Sequence, residues 1–270
     1  MNSVRSILAL ILICNLPAPA FAQDSIAHWI TGNHRSAANT ERNGYRHPVE
    51  TLQFFGIQPD SAVLEVWPGG GWYTEILAPY LKESGHYTAA HFSSKQDVPF
   101  FQNTRKTYLQ KLGNRPDLYQ NVVISSLYPP AGDITPAADS SQDFVLTFRN
   151  VHNWSKGGFD QAMFNVFYKV LKPGGILGVV EHRAKPGTDF DTMIKSGYMT
   201  EDYVVGLAKN AGFELLTRSE INANPKDTTS HPNGVWSLPP TLRGGDTDQA
   251  TFLGIGESDR MTLKFVKAEK

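Results

Sequence analysis

The stretch Val63-Leu64-Glu65-Val66-Trp67-Pro68-Gly69-Gly70-Gly71 decides how this chain is read. An apolar run is interrupted by one carboxylate and ends in three glycines. The run reads as a buried strand from Ala62 to Trp67, and the turn leads into a short helix that ends near Leu81. Glycines at that junction let the backbone turn tightly and approach a ligand with no Cβ in the way. An amide-lined turn entering a helix attracts carboxylate or phosphate. Glu65 needs hydrogen-bond donors if it is buried, because an unpaired carboxylate in an apolar strand is costly.

Working outward, strands and helices alternate. Further strands are expected at Tyr87 to Phe92, Val122 to Leu127, Phe144 to Phe148 and Ile176 to Val180. A helix is expected from Pro99 to Leu112. Phe159, Ala162, Met163, Val166, Phe167, Val170 and Leu171 share one helical face, stopped by Lys172-Pro173-Gly174-Gly175. Thr200 caps a helix that Gly212 ends, and strands at Phe213 to Thr217 and Met261 to Val266 follow. Apolar strands separated by helices predict an α/β fold, a doubly wound, mostly parallel seven-stranded sheet with helices on both faces. No helical pattern of full length separates the final two strands, so the last is expected to run antiparallel. Residues 222–259 form the long connection before it, with a helix expected over Asp248 to Gly254. Residues 23–59 read as a polar helical cap in which Pro48 opens a helix, and 60–270 as the main domain.

Residues 1–22 read as a secretory leader. Arg5 supplies positive charge, Ile7 to Ile13 form a short apolar run, and Ala20-Phe21-Ala22 offers a cleavage site. The run falls short of the ~20 residues that span a membrane. Cleavage would remove Cys14, the single cysteine, leaving a protein with neither disulfides nor a catalytic thiol. A periplasmic or secreted location without stable membrane insertion is therefore expected. With 25 basic and 26 acidic residues the net charge is −1, which gives no footing for a nucleic-acid partner. An apolar content of 40% excludes global disorder.

Ligands in open parallel sheets bind at the carboxyl ends of strands, where strand order reverses. The fourth strand ends in Arg149, Asn150, His152, Asn153 and Trp154, and the fifth in Glu181, His182 and Arg183. His152 or His182 is a candidate general base. Arg149 or Arg183, with Asn150 and Glu181, is a candidate for binding a small-molecule substrate with an anionic group. The bland reading has Glu181 paired with an arginine and the histidines satisfying loop carbonyls. A metal held by His91, His152, Glu181 and His182 is chemically possible, but no short-spaced ligand pair supports it and none is expected.

With these residues in view, the chain resembles the class I S-adenosylmethionine-dependent methyltransferases. Their first motif is an acidic residue followed by alternating glycines. The Leu171-Lys172-Pro173-Gly174-Gly175 junction reinforces the likeness, which covers roughly 48–220 and, by strand count, the C-terminal pair. More narrowly, the chain resembles a group of exported bacterial predicted methyltransferases. The residues that carry this are Glu65 to Trp72, Phe148 to Trp154 and Gly256-Glu257-Ser258-Asp259-Arg260. The resemblance implies a Rossmann-like fold, S-adenosylmethionine as cofactor, and cofactor contacts from Glu65, Trp67, Gly69, Gly70, Gly71 and His91. Two positions depart from the pattern. Trp67 stands where the first glycine is expected, either stacking on the ligand or closing the pocket. His91 stands where an acidic residue usually meets the ribose hydroxyls.

The expected function is methyl transfer to a small molecule. One alternative is a non-catalytic exported binding protein on the same scaffold; another is an enzyme of different chemistry using the histidine-rich rim. A Ser-His-Asp hydrolase is disfavoured, since no Gly-x-Ser-x-Gly turn follows any strand.

Overall fold

The computed structural model describes residues 26–244 and 248–269; the expected leader lies outside them. Four helices come first: α1 (Ile26–Thr31), α2 (Ala37–Glu41), α3 (Asn43–Arg46) and α4 (Pro48–Phe55). Pro48 at the first turn of α4 sacrifices no hydrogen bond, and Gly56, at φ 95°, ends it. The alternation then runs β1 (Ala62–Val66), α5 (Thr74–Leu81), β2 (His86–His91), α6 (Pro99–Gly113), α7 (Pro116–Tyr119), β3 (Val123–Ser126) and β4 (Gln142–Phe148). It continues with α8 (Val151–Gly157), α9 (Asp160–Val170), β5 (Leu171–His182), α10 (Phe190–Ser196), α11 (Glu201–Ala211) and β6 (Phe213–Ser219). The long connection contains α12 (Gln249–Ile255), and β7 (Arg260–Lys267) is the last strand.

The sheet order is β3-β2-β1-β4-β5-β7-β6. Every pairing is parallel except those of β7, which slots antiparallel between β5 and β6. Each face carries its own apolar core. Leu52, Phe55, Val63, Ile76 and Leu77 meet on one side, so the N-terminal helices complete a core of the sheet. Phe164, Phe167, Leu177, Val204 and Phe265 meet on the other, where α9 buries Met163, Phe164, Val166, Phe167 and Val170. At about 1.5–3 kcal/mol for each large apolar side chain buried, this stripe fixes α9 against the sheet.

Local differences from the sequence expectation have identifiable causes. Lys172 to Gly175 does not end before the strand but lies within β5. Leu171 already pairs with Gln142, and the register shifts before Ile176 meets Phe144. The segment after β4, expected as a strand end, winds at once into α8. Thr200 caps α11 as expected, its hydroxyl accepting from the Tyr203 amide at 3.3 Å.

Candidate active site

Strand order reverses beside β1, with β2 and β3 on one side and β4 onward on the other. The carboxyl ends of β1 and β4 therefore flank a crevice. It holds a cavity of about 430 Å³, within the ~300–1,000 Å³ usual for small-molecule sites. Glu65, Trp67, Gly69 and Gly70 line it from the β1 side, Arg149 and Asn150 from β4, and Asn39, Arg42 and Arg46 from the N-terminal helices.

Trp67 settles whether the cavity is open. Its backbone is left-handed (φ 51°), which turns the indole into the core, where it is 4% exposed. Ring centroids of Phe92, Phe101 and Trp154 lie 4.8, 5.6 and 5.9 Å away, and Nε1 donates to the Leu127 carbonyl at 2.8 Å. The ring is a wall of the cavity and does not plug it. Beyond it, a Cβ built on Gly69 or Gly70 would meet nothing within 4 Å, so both backbones face open space. Gly71 has a different job. At φ 80° its Cβ would lie 2.9 Å from the Tyr108 ring, and it does not line the cavity.

Glu65 is 2% exposed and keeps its donors: Tyr87 OH and, at 3.4 Å, Thr74 Oγ1 both donate to Oε2. Burial outweighs these bonds and pushes its carboxyl up to about 7. His91 braces the turn instead of reaching a ribose. The Phe92 amide donates to its Nδ1 at 2.7 Å, so Nε2 carries the proton and donates to the Gly69 carbonyl at 3.0 Å. Burial drives this imidazole down to about 4, and it does not line the cavity. His91, expected to contact the cofactor, is instead placed behind the turn, bonded to Gly69.

The β4 and β5 ends separate in the same way. Asn150 lines the cavity, yet its amide nitrogen is spent on the Val66 carbonyl at 3.0 Å, tying β4 to β1. Glu181 is fully buried and caps α8, accepting from the Val151 amide at 2.6 Å, from His182 N at 2.8 Å and from His152 Nδ1 at 3.0 Å. Glu181 does not line the cavity. Arg183 forks onto Asp259 at 2.8 and 2.9 Å and onto Glu220 at 2.8 and 2.7 Å, a structural network. The expected substrate roles of Glu181 and Arg183 are therefore not supported by their placement. His152 and His182 lie with ring centroids 5.3 Å apart, and His182 Nδ1 is 2.5 Å from Ser258 Oγ. Neither lines the cavity, so the expected general bases sit outside it.

His152, Glu181 and His182 each offer a ligand atom, all within 4.8 Å of one another, a grouping that could hold a metal. Burial first, then the charges of His152, Arg149, Arg260 and Arg46, hold His182 well below the usual imidazole range.

The most charged wall joins the N-terminal helices to the Glu257 to Arg260 segment. Arg42, Arg46 and Arg260 converge on Glu257 at 2.6, 3.2 and 3.2 Å. Burial alone would push Glu257 up, but Arg46, Arg260, Arg149 and Arg42 outweigh it and hold it at about 2. Arg46 also lies over the Trp72 ring, 4.6 Å from its centroid, with Arg35 at the same distance.

No protein-family model matches the chain, and no curated protein matches it in sequence. Solved structures resemble it in shape. A SAM-dependent methyltransferase from Aquifex aeolicus superposes with TM-score 0.53 at 19% identity, covering 67% of this chain and 87% of its own. The [4+2]-cyclase SpnF gives TM-score 0.58 at 16% identity, covering 89% and 86%. An arsenic(III) S-adenosylmethionine methyltransferase from Chlamydomonas reinhardtii gives 0.53 at 13% identity, covering 91% and 73%. A cyclase among methyltransferases illustrates that one scaffold hosts several chemistries. The chain has the Rossmann-like fold that these proteins share.

Proposed function

We propose that this chain transfers the methyl group of S-adenosylmethionine to a small molecule. One observation carries the reading: the turn after β1 opens onto a cavity lined by Glu65, Gly69 and Gly70, with the Trp67 indole withdrawn into the wall. The residues fit the cofactor. The open space over Gly69 and Gly70 admits a ligand against the backbone, and Glu65 offers a carboxyl to a cationic or hydroxyl group. When bound, the cofactor supplies an electrophilic methyl on a sulfonium. The protein's part is then to orient that ligand and its acceptor and to exclude water. Phe101 and Phe148 add apolar lining for this purpose.

Titration calorimetry with S-adenosylmethionine and S-adenosylhomocysteine tests the reading. Micromolar binding is expected, and G70W should abolish it; a Cβ at that position meets nothing within 4 Å, and circular dichroism checks that the fold is kept. Absence of binding by wild-type protein would remove the proposal. The leader-like residues 1–22 support a further part of it, that the enzyme acts outside the cytoplasm. No described helix is long and apolar enough to cross a membrane. Fractionation of expressing cells, with N-terminal sequencing, should find a chain beginning at Gln23.

A further inference from the structure

We propose that the methyl acceptor carries a carboxylate or phosphate group, seated by Arg149 with Arg46. This deepens the methyl-transfer reading and rests on it for the word acceptor. Arg149 is the wall residue whose guanidinium has no hydrogen bond or ion pair among the described residues. It is also held in left-handed backbone (φ 61°), its amide pinned to the Val180 carbonyl at 2.7 Å. A half-buried cation with no partner, held in a strained backbone, is costly, and such groups persist where a ligand completes them. Arg46 is 3% exposed, and its Nη1 is buried without a partner. Arg149 is the strongest single charge acting on it.

Charge decides which ligand the pair awaits. Arg42, Arg46, Arg149 and Arg260 all act on Glu257, and the other carboxyl at the cavity, Glu65, is pushed up to about 7 by burial and offsets little of their charge. S-adenosylmethionine carries an ammonium, a sulfonium and a carboxylate, so it brings a surplus positive charge to a site already positive. Its own carboxylate leaves that excess in place; an anionic second ligand relieves it. The neighbouring hollow, which shares Phe100 and Asn153 with the cavity, repeats the sign: Lys156, Lys195 and Arg243 line it against Asp191. Both hollows are thus positive on a chain whose overall balance is −1, the pattern that steers an anion inward.

The test is calorimetry of the purified chain with inorganic phosphate and with malonate, each with and without S-adenosylhomocysteine, for wild type, R149M and R149K. Circular dichroism and thermal unfolding check the fold of each variant. Wild type should bind at least one anion at one site. R149M should lose at least tenfold of that affinity while its S-adenosylhomocysteine affinity stays within threefold; R149K should recover part of the loss. Equal anion binding by wild type and R149M overturns the inference. So does a folded R149M that loses S-adenosylhomocysteine as steeply as the anions, which would assign the guanidinium to the cofactor's own carboxylate. Wild type that binds S-adenosylhomocysteine but neither anion also overturns it and leaves the methyl-transfer reading standing. Binding of anions without S-adenosylhomocysteine supports the anion seat and removes that reading instead.

Discussion

Trp67 Nε1 donates to the Leu127 carbonyl at 2.8 Å, and this bond keeps the indole at the start of the glycine turn out of the cavity that the turn borders. The bond and the aromatic packing make separable contributions. W67F keeps most of the ring contacts but leaves the Leu127 carbonyl without its donor, a cost of about 1–3 kcal/mol. W67A also empties the space between Phe92, Phe101 and Trp154, so about 3–5 kcal/mol is expected. Urea unfolding should rank them in that order, with S-adenosylhomocysteine affinity in W67F within about threefold of wild type. Equal losses in the two variants would show that packing contributes nothing beyond the hydrogen bond.

Glu65 predicts a pH dependence. Its folded pKa of about 7 lies above the ordinary 4.5, because burial penalises the charged form. The folded state therefore holds this proton more tightly than the unfolded chain does. The associated stability is complete below about pH 4.5 and is lost as pH rises through about 7, some 3 kcal/mol in all. E65Q stays neutral and can still accept from Tyr87. It should be more stable than wild type at pH 8, with the advantage gone near pH 4.5. A gap of the same size at both pH values would contradict the assignment.

Glu257 runs the other way. Its folded pKa of about 2 lies below the ordinary 4.5, so its contribution is present above about pH 4.5 and is lost as pH falls toward 2. E257Q strips Arg42, Arg46 and Arg260 of their shared partner. Leaving buried cations unpaired costs about 3–5 kcal/mol. At pH 7, E257Q should unfold at markedly lower urea. Between pH 4.5 and 2 its stability should change less than that of wild type.

The glycines of the turn divide by what surrounds them. G71A places a Cβ 2.9 Å from the Tyr108 ring at φ 80°, so a loss of about 1–3 kcal/mol is expected. G70A meets nothing within 4 Å and its φ is not left-handed, so stability should stay within about 0.5 kcal/mol of wild type. Thermal unfolding of the pair would reverse these roles only if Gly71, not Gly70, faced open space.

Period and strand-end logic were enough to read the sheet, because an apolar strand such as Val63 to Val66 and a stripe such as Met163 to Val170 are local patterns. The same logic pointed to Glu65, Gly69, Gly70 and Arg149, which line the cavity. It also pointed to Glu181, Arg183, His152 and His182, which do not line the cavity, since a strand end fixes which polar residues are nearby but not whom they face. Glu181 is drawn to the Val151 amide by the start of α8, and Arg183 to Asp259 and Glu220 by loops distant in sequence. The pairing within the arginine wall was harder still: Arg46 and Glu257 meet across 211 residues, and no local pattern encodes such a contact.

Arg149 gives the sharpest separation of stability from function. Its φ of 61° is a conformation glycine adopts freely and arginine does not. A non-glycine residue held there costs about 1–3 kcal/mol, whereas glycine's extra freedom in the unfolded chain costs about 0.5–1. Removing the guanidinium also relieves its repulsion with Arg46 and Arg260, and burial has already driven it down to about 10. R149G should therefore unfold at a temperature at or above that of wild type, a gain of about 1 kcal/mol, while losing its response to phosphate and malonate. A guanidinium kept for the fold would give the opposite result, an R149G protein less stable than wild type by more than about 1 kcal/mol.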